Sequence, residues 1–336
     1  MASASGDGLE KFEDMIVRAA ETTVAHLQAA RSAIGNVIFG QEPVVEQALI
    51  TVLSGGHALL VGVPGLAKTK LVDTMGVVLG LDARRIQFTP DLMPSDILGA
   101  EVLEESAAGK RSFRFISGPV FAQLLMADEI NRASPRTQSA LLQAMQEQHV
   151  TVAGARHDLP RPFHVLATQN PLEQEGTYPL PEAQLDRFLM QVDVDYPDRE
   201  AERRILFDTT GAEETRPKQA MAADDLMTAQ RLVRRLPVGE SVIETILSLV
   251  RSARPGPDAG PMGRLIAWGP SPRASQALML AVRARALLDG RYAPSVDDVV
   301  ALAEPILKHR MALTFAARAD GETIAGVVAR LKARIG

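Results

Sequence analysis

The stretch from His57 to Lys70, reading His-Ala-Leu-Leu-Val-Gly-Val-Pro-Gly-Leu-Ala-Lys-Thr-Lys, restricts the fold more than any other part of the chain. Ala58 to Val61 is a short apolar run of the kind that forms a buried strand. A loop with two glycines, Gly62 and Gly65, follows, and then Lys68-Thr69. Leu71, Val72, Met75, Val78 and Leu79 recur at helical spacing until Gly80 supplies a stop. Strand, glycine loop, Lys-Thr and helix in this order are the context of a phosphate-binding loop. The expected contacts to the anion are Gly62, Val63, Pro64, Gly65, Leu66 and Ala67 in the loop, then Lys68, Thr69 and Lys70. Small loop residues let successive N–H groups point at one phosphate, and the helix start adds its positive dipole end. Lys68 reaches the β- and γ-phosphates, and the Thr69 hydroxyl is placed for a Mg2+ ion. Ala67 stands where a glycine is usual. Alanine fits there with negative φ, already helical, and that is the expectation.

A second stretch gives the anion a chemistry. Leu124-Leu125-Met126-Ala127-Asp128-Glu129 is an apolar strand that ends in two adjacent carboxylates. Behind a phosphate-binding loop, Asp128 would hold the Mg2+ shell together with Thr69. Glu129 would orient and deprotonate an attacking water. A GTPase or kinase would not need that second acid, so Glu129 points to ATP hydrolysis, with ATP and Mg2+ as the ligands. The strand His164–Thr168 ends at Gln169-Asn170-Pro171, and Asn170 at its tip can hydrogen-bond the γ-phosphate or the water.

Around these stretches the elements alternate. A small, polar lead-in over residues 1–8, expected to be disordered, precedes a long amphipathic helix from Leu9 to Ile34. Val37-Ile38-Phe39-Gly40 breaks that pattern, and a helix with Pro43 in its first turn runs to Gly55-Gly56. Ile38 and Phe39, beside Gly40, suit either an adenine pocket or plain core. After a strand at Ile86–Phe88, residues Gly99–Phe115 read as an inserted hairpin. Its arms are Ala100–Leu103 and Ser112–Phe115, around a polar tip, Glu104–Lys110. Ser134-Pro135 caps a helix to about Gln148, and Val150–Ala153 with His157–Leu159 make a second hairpin. The last strand is Leu189–Val194. Five short strands with helical crossovers imply an α/β core, with a mainly parallel sheet and helices on both faces, over 9–196. An all-α domain follows over 197–336. It contains a Pro/Gly loop, Arg254–Gly263, a helix capped by Ser271-Pro272, and another opened by Ser295–Asp298.

Composition removes other classes. The chain has 336 residues, no cysteine and six scattered histidines, which excludes disulfides and thiolate zinc sites and offers no histidine metal spacing. Net charge is −5, so no global basic field suits nucleic acid. No apolar run is long enough for a membrane span. These features fit a cytoplasmic protein.

Block by block the chain resembles the MoxR family of AAA+ ATPases, from about Asn36 to Met311. The resemblance rests on Phe39-Gly40-Gln41, Gly62–Thr69, Gln87-Phe88-Thr89-Pro90-Asp91-Leu92 and Ala127–Ala133. It continues in Ala167-Thr168-Gln169-Asn170-Pro171, Pro181–Phe188 and Gly269-Pro270-Ser271-Pro272-Arg273-Ala274. An alanine at position 67 is itself a family mark. The resemblance implies Walker A at Gly62–Thr69, Walker B at Asp128-Glu129, sensor 1 at Asn170 and sensor 2 at Arg273 on a helical lid. It makes Arg187 an arginine finger that reaches a neighbouring subunit, and hence implies a ring, most readily a hexamer. Arg273 stands early in a capped helix, where the dipole disfavours a cation, and a phosphate partner would explain that placement. Arg132 is open between an interface role and a surface one. The family's work is chaperone-like remodelling, maturation or metal-cofactor insertion of a client protein, commonly with a von Willebrand factor A domain partner. The alternatives are a magnesium-chelatase-like ATPase subunit and, from another class, a DNA-acting AAA+ motor.

Overall fold

The computed structural model describes residues 6–105, 111–173, 176–211 and 215–335. Of the lead-in expected over 1–8, residues 1–5 lie outside the described residues, and Gly6 to Gly8 already belong to the first helix. Most of the first hairpin's polar tip, 106–110, also lies outside them.

Helices α1 (Gly6–Gly35) and α2 (Glu42–Leu53) lead into β1 (Ala58–Val61), α3 (Lys68–Val78) and β2 (Ala83–Gln87). The short helix α4 (Pro94–Leu98) precedes the hairpin β3 (Gly99–Glu105) and β4 (Arg111–Ser117). Then come β5 (Leu124–Asp128), α5 (Pro135–Glu147), the hairpin β6 (His149–Val152) and β7 (Ala155–Asp158), β8 (His164–Gln169), α6 (Glu182–Leu185) and β9 (Met190–Asp193). The main sheet has the order β2-β5-β8-β1-β9, with all four pairings parallel. In that register Val61 lies beside Gln169, and Asp128 beside Gln87. The carboxyl ends of β1, β5 and β8 therefore finish together, which is where open α/β sheets bind ligands.

Strand alternation divides the apolar residues between two layers. Leu59, Leu125, Ala127, Val165 and Phe88 face α5, with Leu141 and Leu142, and form one buried cluster. Ala58, Leu60, Leu124, Met126 and Leu166 face the other way, against α2 and α3, in a second cluster. That second cluster does not stop at the sheet. It continues through α8 (Ala223–Arg235), α9 (Glu240–Ser252), α10 (Pro272–Leu288), α11 (Val296–Leu307) and α13 (Ile324–Lys332). The helical part thus shares its core with the sheet rather than standing apart. Charges bridge the same junction: Glu46 on α2 accepts from Arg31 on α1 and Arg285 on α10, each at 3.0 Å. In the chain between β9 and α8 comes α7 (Arg199–Thr210), where the Asp198 side chain caps the N–H of Ala201 at 2.8 Å. One detail differs from an all-α second part. Strands β10 (Ile266–Trp268) and β11 (Ala312–Leu313) pair antiparallel beside α12 (Phe315–Ala319).

Candidate active site

The loop between β1 and α3 and the ends of β5 and β8 enclose a cavity of about 400 Å3. Pro64 to Lys70 form one wall, and Asp128, Glu129, Thr168 and Asn170 form the other. Gly62 lies at the foot of the loop, where a Cβ would stand 2.4 Å from the Val194 carbonyl oxygen, so only glycine lets the loop leave the sheet there. Gly62 and Val63 do not line the cavity. Their carbonyls accept the Lys68 ammonium at 2.6 and 2.8 Å. Burial pulls the Lys68 pKa below its ordinary value, and the carboxylates of Asp128 and Glu129 pull it part of the way back.

Ala67 corrects the sequence expectation. It is not helical: at φ 56° and ψ 19° it is left-handed, the N-cap residue just before Lys68. A left-handed residue here turns the last loop N–H toward the same centre as the first helical ones, the geometry of an anion nest. Alanine takes that conformation at a cost of about 1–2 kcal/mol, so the loop's shape overrides the residue's own preference.

Both acids are held. The Thr168 hydroxyl donates to Asp128 Oδ1 at 2.5 Å and accepts the Glu129 N–H at 2.9 Å. Glu129 is also left-handed, at φ 54°, and that N–H bond fixes the turn that carries its carboxylate off the strand. Glu129 Oε2 accepts from Gln87 Nε2 at 2.7 Å and from Arg132 Nη1 at 3.1 Å. Arg132 is therefore tied to the acid's own carboxylate. Asp128 Oδ2 is paired with Arg85 at 2.5 Å. Asn170 lines the cavity, and its Oδ1 accepts the Leu172 N–H at 3.1 Å.

Thr168, Arg85 and Gln87 are functional neighbours that the sequence reading missed. Thr168 alone carried a signal, as a hydroxyl at a buried position of an apolar strand. The donor set fits Mg2+: Thr69 and Asp128 offer hard oxygens, and the described residues contain no cage of three or more His, Cys, Asp or Glu. Mg2+ is usually held that way, by one or two side chains with phosphates and water supplying the rest.

A second cavity of about 250 Å3 adjoins the loop. Ile38 and Phe39 line it together with Leu66, Pro197, Ile205 and Thr209, and the Arg204 guanidinium lies 4.5 Å from the Phe39 ring centre. Gly40 does not line it. Its φ is +67°, and a Cβ there would stand 2.4 Å from the Ala201 Cβ, so this glycine lets α7 close over the cavity.

Arg187 and Arg273 are not at either cavity. They meet in a third, of about 240 Å3, with Asp186, Arg234, Arg310 and His57. Arg187 donates to the Leu142 carbonyl at 2.7 Å. Burial lowers its pKa, the charge of Arg273 lowers it further, and Glu147 opposes both.

A family model described as "ATPase family associated with various cellular activities (AAA)" matches residues 57–190, and an AAA lid domain model matches 263–331. "Chaperone MoxR1" of Mycobacterium tuberculosis is 42% identical over 296 residues, covering 88% of this chain and 78% of that protein. "Protein MoxR" of Paracoccus denitrificans is 31% identical over 311 residues, covering 86% and 89%. A solved structure, titled as a candidate ATPase from Cytophaga hutchinsonii, superposes with a TM-score of 0.88 at 34% identity, covering 98% of this chain and 99% of that one. With these identities over most of the chain, and with an α/β sheet followed by a helical lid, the chain belongs to the MoxR family of AAA+ ATPases.

Proposed function

We propose that the chain hydrolyses Mg-ATP in a ring, a hexamer, whose nucleotide sites are each built by two copies. The observation that carries this reading is the separation of the arginines from the chain's own phosphate cavity: Arg187 and Arg273 share a cavity with each other and with none of Lys68, Asp128 or Glu129. A cation pair meant for a γ-phosphate, and absent from its own chain's site, suits a neighbour's.

In this reading the second cavity takes the adenine, with Ile38 and Phe39 against its face. Lys68 exchanges its loop carbonyls for the β- and γ-phosphates. Thr69 and Asp128 hold Mg2+, which when bound neutralises phosphate charge. Asn170 donates to the γ-phosphate or the water. Glu129 takes the water's proton as its oxygen attacks phosphorus, and ADP leaves with the electron pair of the broken P–O bond. Glu129 must first give up Gln87 and Arg132, both of which hold its Oε2. The work done with that energy is chaperone-like maturation of a client protein, with metal-cofactor insertion and a von Willebrand factor A domain partner as the specific form. It takes place in the cytoplasm. Among the described residues no helix is long and apolar enough to cross a membrane.

Glu129→Gln tests the reading, since it keeps the hydrogen bonds and removes the base. In saturating Mg-ATP it is expected to bind nucleotide, run at ring size and retain its partner in a pull-down. A monomer under those conditions would contradict the two-copy site.

A further inference from the structure

One deeply buried charge lies away from the phosphate cavity. Arg310, the largest fully buried side chain among the described residues, is 2% exposed and faces Asp186, 13% exposed, at 2.6 Å. Its five N–H groups find five acceptors. Nε donates to Asp186 Oδ1, Nη1 to the carbonyls of Ile306 at 2.6 Å and Leu189 at 3.1 Å, and Nη2 to those of Phe188 at 2.5 Å and Asp186 at 3.5 Å. The guanidinium thereby fastens the residues on both sides of Arg187. Asp186 holds the other arginine as well. Its Oδ2 accepts the Ser271 hydroxyl at 3.0 Å, and Ser271 Oγ accepts the N–H of Arg273 at 3.2 Å, at the first turn of α10. One carboxylate thus joins the turn carrying Arg187 to the helix carrying Arg273.

A buried ion pair is a poor device for stability alone, because apolar residues of the same volume would serve as well or better. Its merit is direction, with every donor and acceptor committed to one geometry.

We infer that Asp186 and Arg310 are positioning residues that hold Arg187 and Arg273 as one rigid pair for a phosphate on a neighbouring copy. The inference rests on the two-copy reading above. Neither residue touches nucleotide. Each acts through the arginines it orients.

The first test is Asp186→Asn, which keeps the volume and removes the charge. ATP affinity by equilibrium titration should stay within about twofold, while kcat falls about 10–100-fold, the scale of losing a group that orients a functional residue. A wild-type kcat overturns the inference, and so does a loss that appears wholly as weaker ATP binding. If Asp186→Asn does not fold, Ser271→Ala, which removes one hydroxyl at a half-buried cap, is read by the same criteria and should lower kcat less.

Subunit mixing separates a positioning role from a fold defect. Asp186→Asn supplies an intact phosphate loop, and Lys68→Ala supplies intact arginines, so mixed rings should turn over faster than either protein alone. The control mixes Arg187→Ala with Lys68→Ala. If the control recovers and the Asp186→Asn mixture does not, the positioning role is wrong and the two-copy site stands. If neither recovers, the two-copy site fails and the positioning role fails with it.

Discussion

The phosphate cavity and the arginine cavity satisfy their charges in opposite ways. At the phosphate cavity each reactive group rests on a partner it can leave. Lys68 lies on two carbonyls of its own loop, Glu129 on Gln87 and Arg132, and Asp128 Oδ2 on Arg85, which is half exposed. At the arginine cavity the Arg310 guanidinium is itself buried and all its donors are used: Arg310 and Asp186 fix the turn around Arg187 and the cap before Arg273. On the proposed reading the first region is a receptor, expected to exchange these partners for nucleotide. The second is a preformed plate, and the shared core of sheet and lid carries it as one body with that receptor. Movement driven by hydrolysis is therefore expected between copies more than within one.

The contrast can be broken from either side. Arg187→Ala should leave ATP binding intact and lower kcat by about 10³ or more, the scale of arginine fingers in P-loop enzymes. Steady-state turnover beside a nucleotide titration checks both halves, and a wild-type kcat would remove Arg187 from the site. On the receptor side, Thr168→Val keeps the shape and strands Asp128 Oδ1 and the Glu129 N–H. The unsatisfied groups should cost about 1–3 kcal/mol of stability, and the loss of the group that orients both acids should lower kcat about 10–100-fold with the fold retained.

Acid should also act on this region, because three described histidines are buried: His57 lines the arginine cavity, His164 neighbours His57, and His309 precedes Arg310. His57 Nδ1 accepts the Val165 N–H at 2.9 Å, and His164 Nδ1 lies 2.9 Å from the Gly56 carbonyl, where it donates. Burial first, and then the neighbouring His164, lowers the His57 pKa to about 3, and burial lowers that of His164 to about 4. Both are neutral in the folded protein, so the unfolded chain binds more protons below its ordinary histidine pKa of about 6.5. Stability is thus full above that value and falls as pH drops from about 6.5 toward about 4. Thermal melts across this range should show the decline, and His164→Gln should flatten it. An unchanged slope in that variant would mean His164 titrates normally. The smallest effect is expected from Ala67→Gly. Relief of a left-handed alanine, about 1–2 kcal/mol, is partly offset by about 0.4–1 kcal/mol of added chain entropy in the unfolded state. Denaturant unfolding should show a slight gain in stability, and a loss would mean that residue 67 is not left-handed.

The sequence was most informative where the cause is local. Pro43 and Ser134-Pro135 mark their helix starts because a fixed φ and a cap act within one turn. Four of the five sheet strands are legible as short apolar runs between turns, whereas β2, which carries Arg84 and Arg85, was legible only at its end, Ile86–Phe88. Ala67 was misread for a related reason: its own preference is helical, and only the demand of the nest, set by neighbouring N–H groups, makes it left-handed. Thr168 and Arg85 acquire their roles from register, across strands that lie far apart in the chain, so spacing along one segment does not show them. The link from Arg310 through Asp186 to Ser271 spans three separate segments, and nothing within any one of them signals it. Strands β10 and β11 are too short to show alternation.

A two-copy site requires the arginines of one copy to complete the phosphate cavity of another, and mixing two inactive variants measures this. Lys68→Ala and Arg187→Ala are each expected to be inactive alone. Combined in Mg-ATP, they should recover up to about a quarter of wild-type turnover per subunit if copies mix at random around a closed ring. Turnover that stays at the level of the two separate proteins, in rings shown to contain both, would contradict it.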